Sequence, residues 1–139
     1  MLANTLNTNE IKDSAGTEQE FSRLSQNERQ TEFAFIGETP AYPHRLSIKH
    51  TELGNGVNKR RRSMVRFDKV VAGQVDSETP SNIAFYVVAD IPIGNLTSYA
   101  EPANVAANLM SFLATTGAAT TVLFDGSGNG ASAILNGSL

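Results

Sequence analysis

The sequence predicts an α+β fold in which helices cover one face of an antiparallel sheet. Three observations predict it. Segments with the two-residue alternation of strands come first and a helical pattern follows them. The most basic stretch, Arg45–Lys69, is a pair of alternating segments around the turn Gly54-Asn55-Gly56. The helical stretch, Glu101–Thr116, is apolar around most of its circumference.

At 139 residues the chain suits a single domain, 1–139, and its 40% hydrophobic and 18% charged content is that of a soluble globular protein. It has no cysteine, which excludes disulfides and thiolate metal sites. Residues 1–13 lack a basic segment followed by an apolar run, so no cleaved secretory signal is expected. No window holds the roughly 20 apolar residues of a membrane span.

Residues 1–30 form an N-terminal hairpin region. Two extended pieces, Thr5–Lys12 and Gln19–Leu24, flank a turn at Gly16, and a helix over Glu18–Leu24 is the alternative. The main sheet is expected over 31–92. In it Thr31–Ile36 alternates polar with aromatic or aliphatic residues until Gly37 and Pro40 stop it. The basic pair comes next. Leu46, Ile48 and His50 share one face of its first strand, and Arg45, Ser47, Lys49 and Thr51 the other. In the second, Ser63, Val65 and Phe67 oppose Arg62, Met64, Arg66 and Asp68. After a polar loop ending near Pro80, Ile83–Ile91 is the most hydrophobic strand, with Phe85, Val87, Ala89 and Ile91 facing away from Ala84, Tyr86, Val88 and Asp90.

Helices are expected over 98–124 and a flexible tail over 125–139. Ser98-x-x-Glu101 has the capping-box spacing, while Pro102 suits a helix beginning at Glu101. Only Asn104, Asn108 and Ser111 interrupt an apolar surface that includes Val105, Leu109, Met110, Phe112 and Leu113. Such a helix is buried on more than one side, which one small sheet cannot do, so a second copy of the chain is implied. Ala118–Phe124 has the composition of a short second helix.

Charge is distributed unevenly. Eight of the eleven Lys and Arg lie within Arg45–Lys69, in a chain of net charge −3. From residue 70 onward there is none. The run Lys59–Arg62 is either a solvated hairpin tip or part of a nucleic-acid patch; Arg45, Lys49 and Arg66 extend it along one strand face. Tyr86 and Met64 interleave with those cations, the arrangement that holds unpaired bases. Single-stranded nucleic acid is therefore the expected partner.

Other motifs carry less. Asp125-Gly126-Ser127-Gly128-Asn129-Gly130 resembles the first half of a calcium loop, but Asn136 stands where the bidentate Glu is needed. His44 and His50, the only histidines, have no acidic partner at metal-ligand spacing, and no nucleophile-elbow motif occurs. No enzyme activity, cofactor or metal is expected.

The segments HRLSIKHTEL, NKRRRSMVRFDKVV, ETPSN, FYVVADIPIGN and EPANVAANLMSFLATTG, in this order and spacing, resemble the coat proteins of single-stranded RNA bacteriophages, the levivirus group. The resemblance runs over Pro43–Gly130 and extends to the N-terminal third by architecture alone. It implies an N-terminal β-hairpin, a five-stranded antiparallel sheet and two C-terminal helices packing across a dimer partner. It further implies a capsid protein whose homodimers build an icosahedral T=3 virion in the host bacterial cytoplasm, with no membrane partner. The sheet then faces genomic RNA and also binds an RNA hairpin as translational repressor. Positions matching the family's RNA face are Arg45, Ser47, Lys49, Arg60, Arg62, Met64, Arg66 and Tyr86, to which the basic run adds Lys59. Val105, Leu109, Met110, Phe112 and Leu113 are the expected dimer contacts. The family often places Thr or Ser and Lys where Arg62 and Met64 stand, so the RNA face departs from the family's pattern at these two positions. The alternative function is a non-viral single-stranded nucleic-acid-binding module.

Overall fold

The computed structural model describes residues 2–116 and 122–138. The chain forms two compact units: Met1–Ile11 with Gln19–Leu96, and Lys12–Glu18 with Thr97–Leu139.

The first unit is an antiparallel sheet whose spatial order follows chain order. Its strands are β1 (Thr5–Leu6), β2 (Phe21–Gln26), β3 (Gln30–Phe35), β4 (His44–Leu53), β5 (Arg60–Val71) and β6 (Ser81–Ile91). The sheet has six strands rather than five because the N-terminal hairpin pairs into it, with Phe21 opposite Phe35 and Gln26 opposite Thr31. Over Glu18–Leu24 the extended alternative holds and the helical one does not, since Phe21 and Arg23 alternate sides with Ser22. A register shift between Arg23 and Ser25 leaves Leu24 as an extra, exposed residue, the mark of a bulge.

One face of the sheet carries the core. Leu6, Phe21, Phe33 and Leu46 are buried, with Ile11, Phe35, Ile48 and Phe67 packed against them. Register explains the cluster: Phe33 stands opposite Leu46, and Leu46 opposite Phe67, so aromatic and aliphatic side chains stack across neighbouring strands. At β6 the cover ends. Phe85 and Val87 lie on the same face as the core and remain exposed.

His44 sits within this aromatic group. Its ring centroid is 5.0 Å from that of Phe21, 5.5 Å from Phe35 and 6.5 Å from Phe67. Nδ1 is buried without a hydrogen-bond partner among the described residues. Burial, reinforced by the Lys69 charge and opposed by Glu38, lowers its pKa below the ordinary 6.5. The unfolded chain therefore takes up this proton before the folded chain does. Stability from this site is complete above about pH 6.5 and declines as pH falls toward the folded pKa. His44→Phe is expected to flatten that decline, read as urea midpoints across the range; an unchanged profile would contradict the aromatic environment. The effect is separate from that of Glu52, whose carboxyl is held at about 2 by hydrogen bonds from Lys59 and Arg61. Its contribution is lost only as pH falls from the ordinary 4.5 toward that value.

Two glycines shape the far end of β4 and β5. Gly54 has φ +79°, and a Cβ there would stand 2.7 Å from the Asn58 carbonyl oxygen. Gly94, just beyond β6, donates its N–H to the Lys59 carbonyl at 2.8 Å. A Cβ at Gly94 would come within 2.0 Å of the Gly56 oxygen, so only glycine permits this close approach.

In the second unit α1 spans Ala100–Ala114 and α2 spans Asn129–Asn136. No Ser98 capping box forms: Tyr99 is the N-cap and its side chain makes no capping bond. Glu101 nonetheless lies in the first turn, where a carboxylate suits the helix dipole. The chain leaves α1 at Thr115 in extended conformation and forms a bridge with Val122. The helix expected over Ala118–Phe124 lies partly outside the described residues, and Val122–Phe124 are not helical.

The second helix instead falls in the stretch expected to be a flexible tail. Its glycines are packing positions, because a Cβ on Gly130 would meet the Phe112 carbonyl oxygen at 2.2 Å and one on Gly128 the Thr115 oxygen at 2.8 Å. The Asn129 amide donates to the Thr115 carbonyl at 2.8 Å, and its side chain to that of Thr116 at 2.9 Å. Gly137, at φ +67°, closes the helix in the left-handed conformation, and Ser138 N–H bonds back to Ala133.

Candidate nucleic-acid interface

Strand register gathers the sequence-predicted cations on the face opposite the core. Ser47, Arg66 and Tyr86 form one cross-strand row, Lys49, Met64 and Val88 the next, and Thr51, Arg62 and Asp90 the third. Arg45 stands opposite Asp68, and Arg60 opposite Leu53. Eight of the nine predicted residues thus share this surface: Arg45, Ser47, Lys49, Arg60, Arg62, Met64, Arg66 and Tyr86. Lys59 does not join them. Its Nζ lies 2.8 Å from Glu52, which also pairs with Arg61 and belongs to the core side of the sheet.

Carboxylates are interleaved with these cations. Asp90 Oδ1 accepts from Arg60 Nε at 2.8 Å, and its Oδ2 from Arg62 Nη2 at 3.2 Å. Asp68 takes both forks of Arg66 at 2.7 Å. Arg45 pairs with Glu38 at 2.7 Å and with Glu32 at 3.6 Å. Hydrogen bonding from Arg60 holds the Asp90 carboxyl below its ordinary range, and the bond to Asp68 raises the Arg66 pKa. Lys49 is exposed and makes no ion pair among the described residues. Four of the five cations, Arg45, Arg60, Arg62 and Arg66, therefore pair with four acids, Glu32, Glu38, Asp68 and Asp90. Within Arg45–Lys69 the sequence itself holds only two acids, Glu52 and Asp68. Asp90 was visible in it, by alternation, on the same side as Tyr86.

The surface also offers stacking. The Arg66 guanidinium lies 5.9 Å from the centroid of the Tyr86 ring, which is 58% exposed. A phenol ring beside several guanidinium groups on a sheet surface is suited to unpaired bases and their phosphates.

Comparison with solved structures decides the fold. The coat protein of bacteriophage EMS014 superposes with a TM-score of 0.68 at 12% identity, over 87% of this chain and 87% of that one. The bacteriophage GA capsid protein gives 0.56 at 14% identity, over 98% and 95%. The chain has the coat-protein fold of the single-stranded RNA bacteriophages. The virus-like particle of Beihai levi-like virus 32 has the same coat fold, with a TM-score of 0.55 at 20% identity over 67% of this chain and 74% of that one. No family model matches the sequence, and no curated protein matches it.

Two apolar surfaces are exposed among the described residues. Strand β6 is the last in the sheet, and Phe85, Tyr86, Val87 and Val88 are all exposed. Along α1, Val105 is 65% exposed, Met110 59% and Phe112 52%, with Leu109 also exposed and Leu113 half-buried. The burial on several sides predicted for this helix is thus absent from one copy. Among the described residues no helix is long and apolar enough to cross a membrane, and no three metal-ligating side chains cluster.

Proposed function

We propose that the chain is a phage capsid subunit that dimerises, assembles into a closed icosahedral shell and binds the RNA genome. The observation that carries this reading is an uncovered edge strand and an uncovered apolar helix in a chain with the coat-protein fold. The outer edge of apolar β6, which pairs with no strand among the described residues, is a template for another strand, and a twofold axis beside it extends one sheet into the next. Val105, Leu109, Met110, Phe112 and Leu113 of α1 are the proposed contacts across that dimer. Burying such surfaces is the dominant favourable term in association.

In this reading the shell has T=3 geometry and the cationic face looks inward to the genome. Arg45, Ser47, Lys49, Arg60, Arg62, Met64, Arg66 and Tyr86 bind RNA, and the same face takes a hairpin as translational repressor. The protein is located in the virion after assembly in the bacterial cytoplasm. It is a structural protein and not an enzyme.

The RNA contacts are tested by the double substitution Arg62→Ala and Arg66→Ala. It should weaken RNA binding and reduce the slope of log K against log salt by about 0.7 for each lost phosphate contact. An unchanged slope would put the phosphates elsewhere.

A further inference from the structure

We infer that Asp90 and Asp68 are built-in competitors of phosphate, so that this face takes up RNA by exchanging carboxylate for phosphate. The inference rests on the proposed RNA-binding role of the face. A guanidinium binds a carboxylate and a phosphate through the same fork of N–H groups. Arg66 already spends that fork on Asp68, with both bonds at 2.7 Å. Arg60 and Arg62 share the two oxygens of Asp90, and Arg60 Nη2 also reaches the Asp90 backbone carbonyl at 3.3 Å. A phosphate arriving at the Nε–Nη2 edge of Arg66, or at the N–H groups that Asp90 holds on Arg60 and Arg62, must therefore displace a partner already in place.

That competition selects the ligand. A single phosphate gains little by replacing one carboxylate with another anion. A strand that presents several phosphates together gains the sum of the exchanges, along with stacking on Tyr86. Among the described residues Lys49 is the cation of this face with no carboxylate to release, and it lies diagonally between Arg62 and Arg66 in the β4–β5 register. It is the first landing point, from which neighbouring phosphates are drawn onto the arginines. The ligand class is a polyphosphate strand, with mononucleotides rejected. The carboxylates also keep the arginines splayed in fixed directions while the face is empty.

Asp90→Asn tests this, because the change is isosteric and exposed and removes the charge shared by Arg60 and Arg62. Binding of a labelled RNA hairpin is measured by anisotropy across a salt series, beside Glu52→Gln. The second variant removes the carboxylate paired with Lys59 and Arg61 on the opposite side of the sheet and gives the same gain in net charge. Asp90→Asn should bind about five-fold more tightly in dilute salt, with a slope steeper by about 0.7, while Glu52→Gln stays near wild type. Wild-type binding with no gain in Asp90→Asn, or an equal gain in Glu52→Gln, would overturn the exchange and leave the RNA face standing. Absence of RNA binding in wild type and Asp90→Asn alike would overturn the RNA face itself, and the exchange with it.

Discussion

Leu109→Asp in α1 and Val87→Lys in β6 are each expected to yield a folded chain that neither dimerises nor assembles. Both side chains are exposed in the single chain, Leu109 at 41% and Val87 at 37%, so a charge at either costs little while the chain stands alone. Covered by a second copy, the same charge is stripped of water without a partner. Breaking a buried pair to leave one charge uncompensated costs about 3–5 kcal/mol, so the dimer should weaken by roughly 10²–10³-fold. Near a twofold axis the introduced lysine also meets its own copy, since the interface is self-complementary. Sedimentation velocity separates the outcomes. A variant that keeps the wild-type association would remove β6 or α1 from the interface.

Phe33→Ala should have the largest effect on the fold itself. Phe33 and Phe21 are the largest fully buried side chains, each at 0% exposure, and Phe33 joins β3 to β4 through Leu46. Truncating a buried Phe costs about 3–5 kcal/mol, against a typical domain stability of about 5–15 kcal/mol. Urea unfolding at matched protein concentration should show a lower midpoint with the slope retained. A loss below about 1 kcal/mol would mean that the core is centred elsewhere.

Much of this architecture is legible in the residues. Alternation alone assigns Leu46, Ile48 and Phe67 to one side of the sheet and Arg45, Lys49, Arg62 and Arg66 to the other, because a strand permits no third direction. The apolar circumference of α1 likewise points to missing cover. What was not legible depends on distance along the chain. Arg60 and Asp90 are thirty positions apart and meet only because β5 and β6 pair in one register. Lys59 reads as one more cation until its ammonium is found on Glu52, across the sheet from the arginines. Strand β1, two residues long, lies within the extended piece expected over Thr5–Lys12 and is too short for any period to show that it pairs into the main sheet. Helix α2 hides for a different reason. Its glycines resemble linker composition, yet Gly128 and Gly130 are small because the carbonyls of Leu113, Phe112 and Thr115 lie against them.

The ion pairs also refine the electrostatic account. Counted from the chain, the β4–β5 pair is strongly basic; counted on the folded face, its arginines are largely neutralised and pre-oriented. Exposed pairs of this kind add little to stability. Their value here lies in setting which anion can replace the carboxylate.

The central claim, that this chain closes into a shell, is tested most directly by electron microscopy of the purified recombinant protein. Uniform closed particles, with RNA protected inside them, are the expected result. A single small species at every protein concentration and salt would contradict the capsid reading and favour a non-viral single-stranded nucleic-acid-binding module.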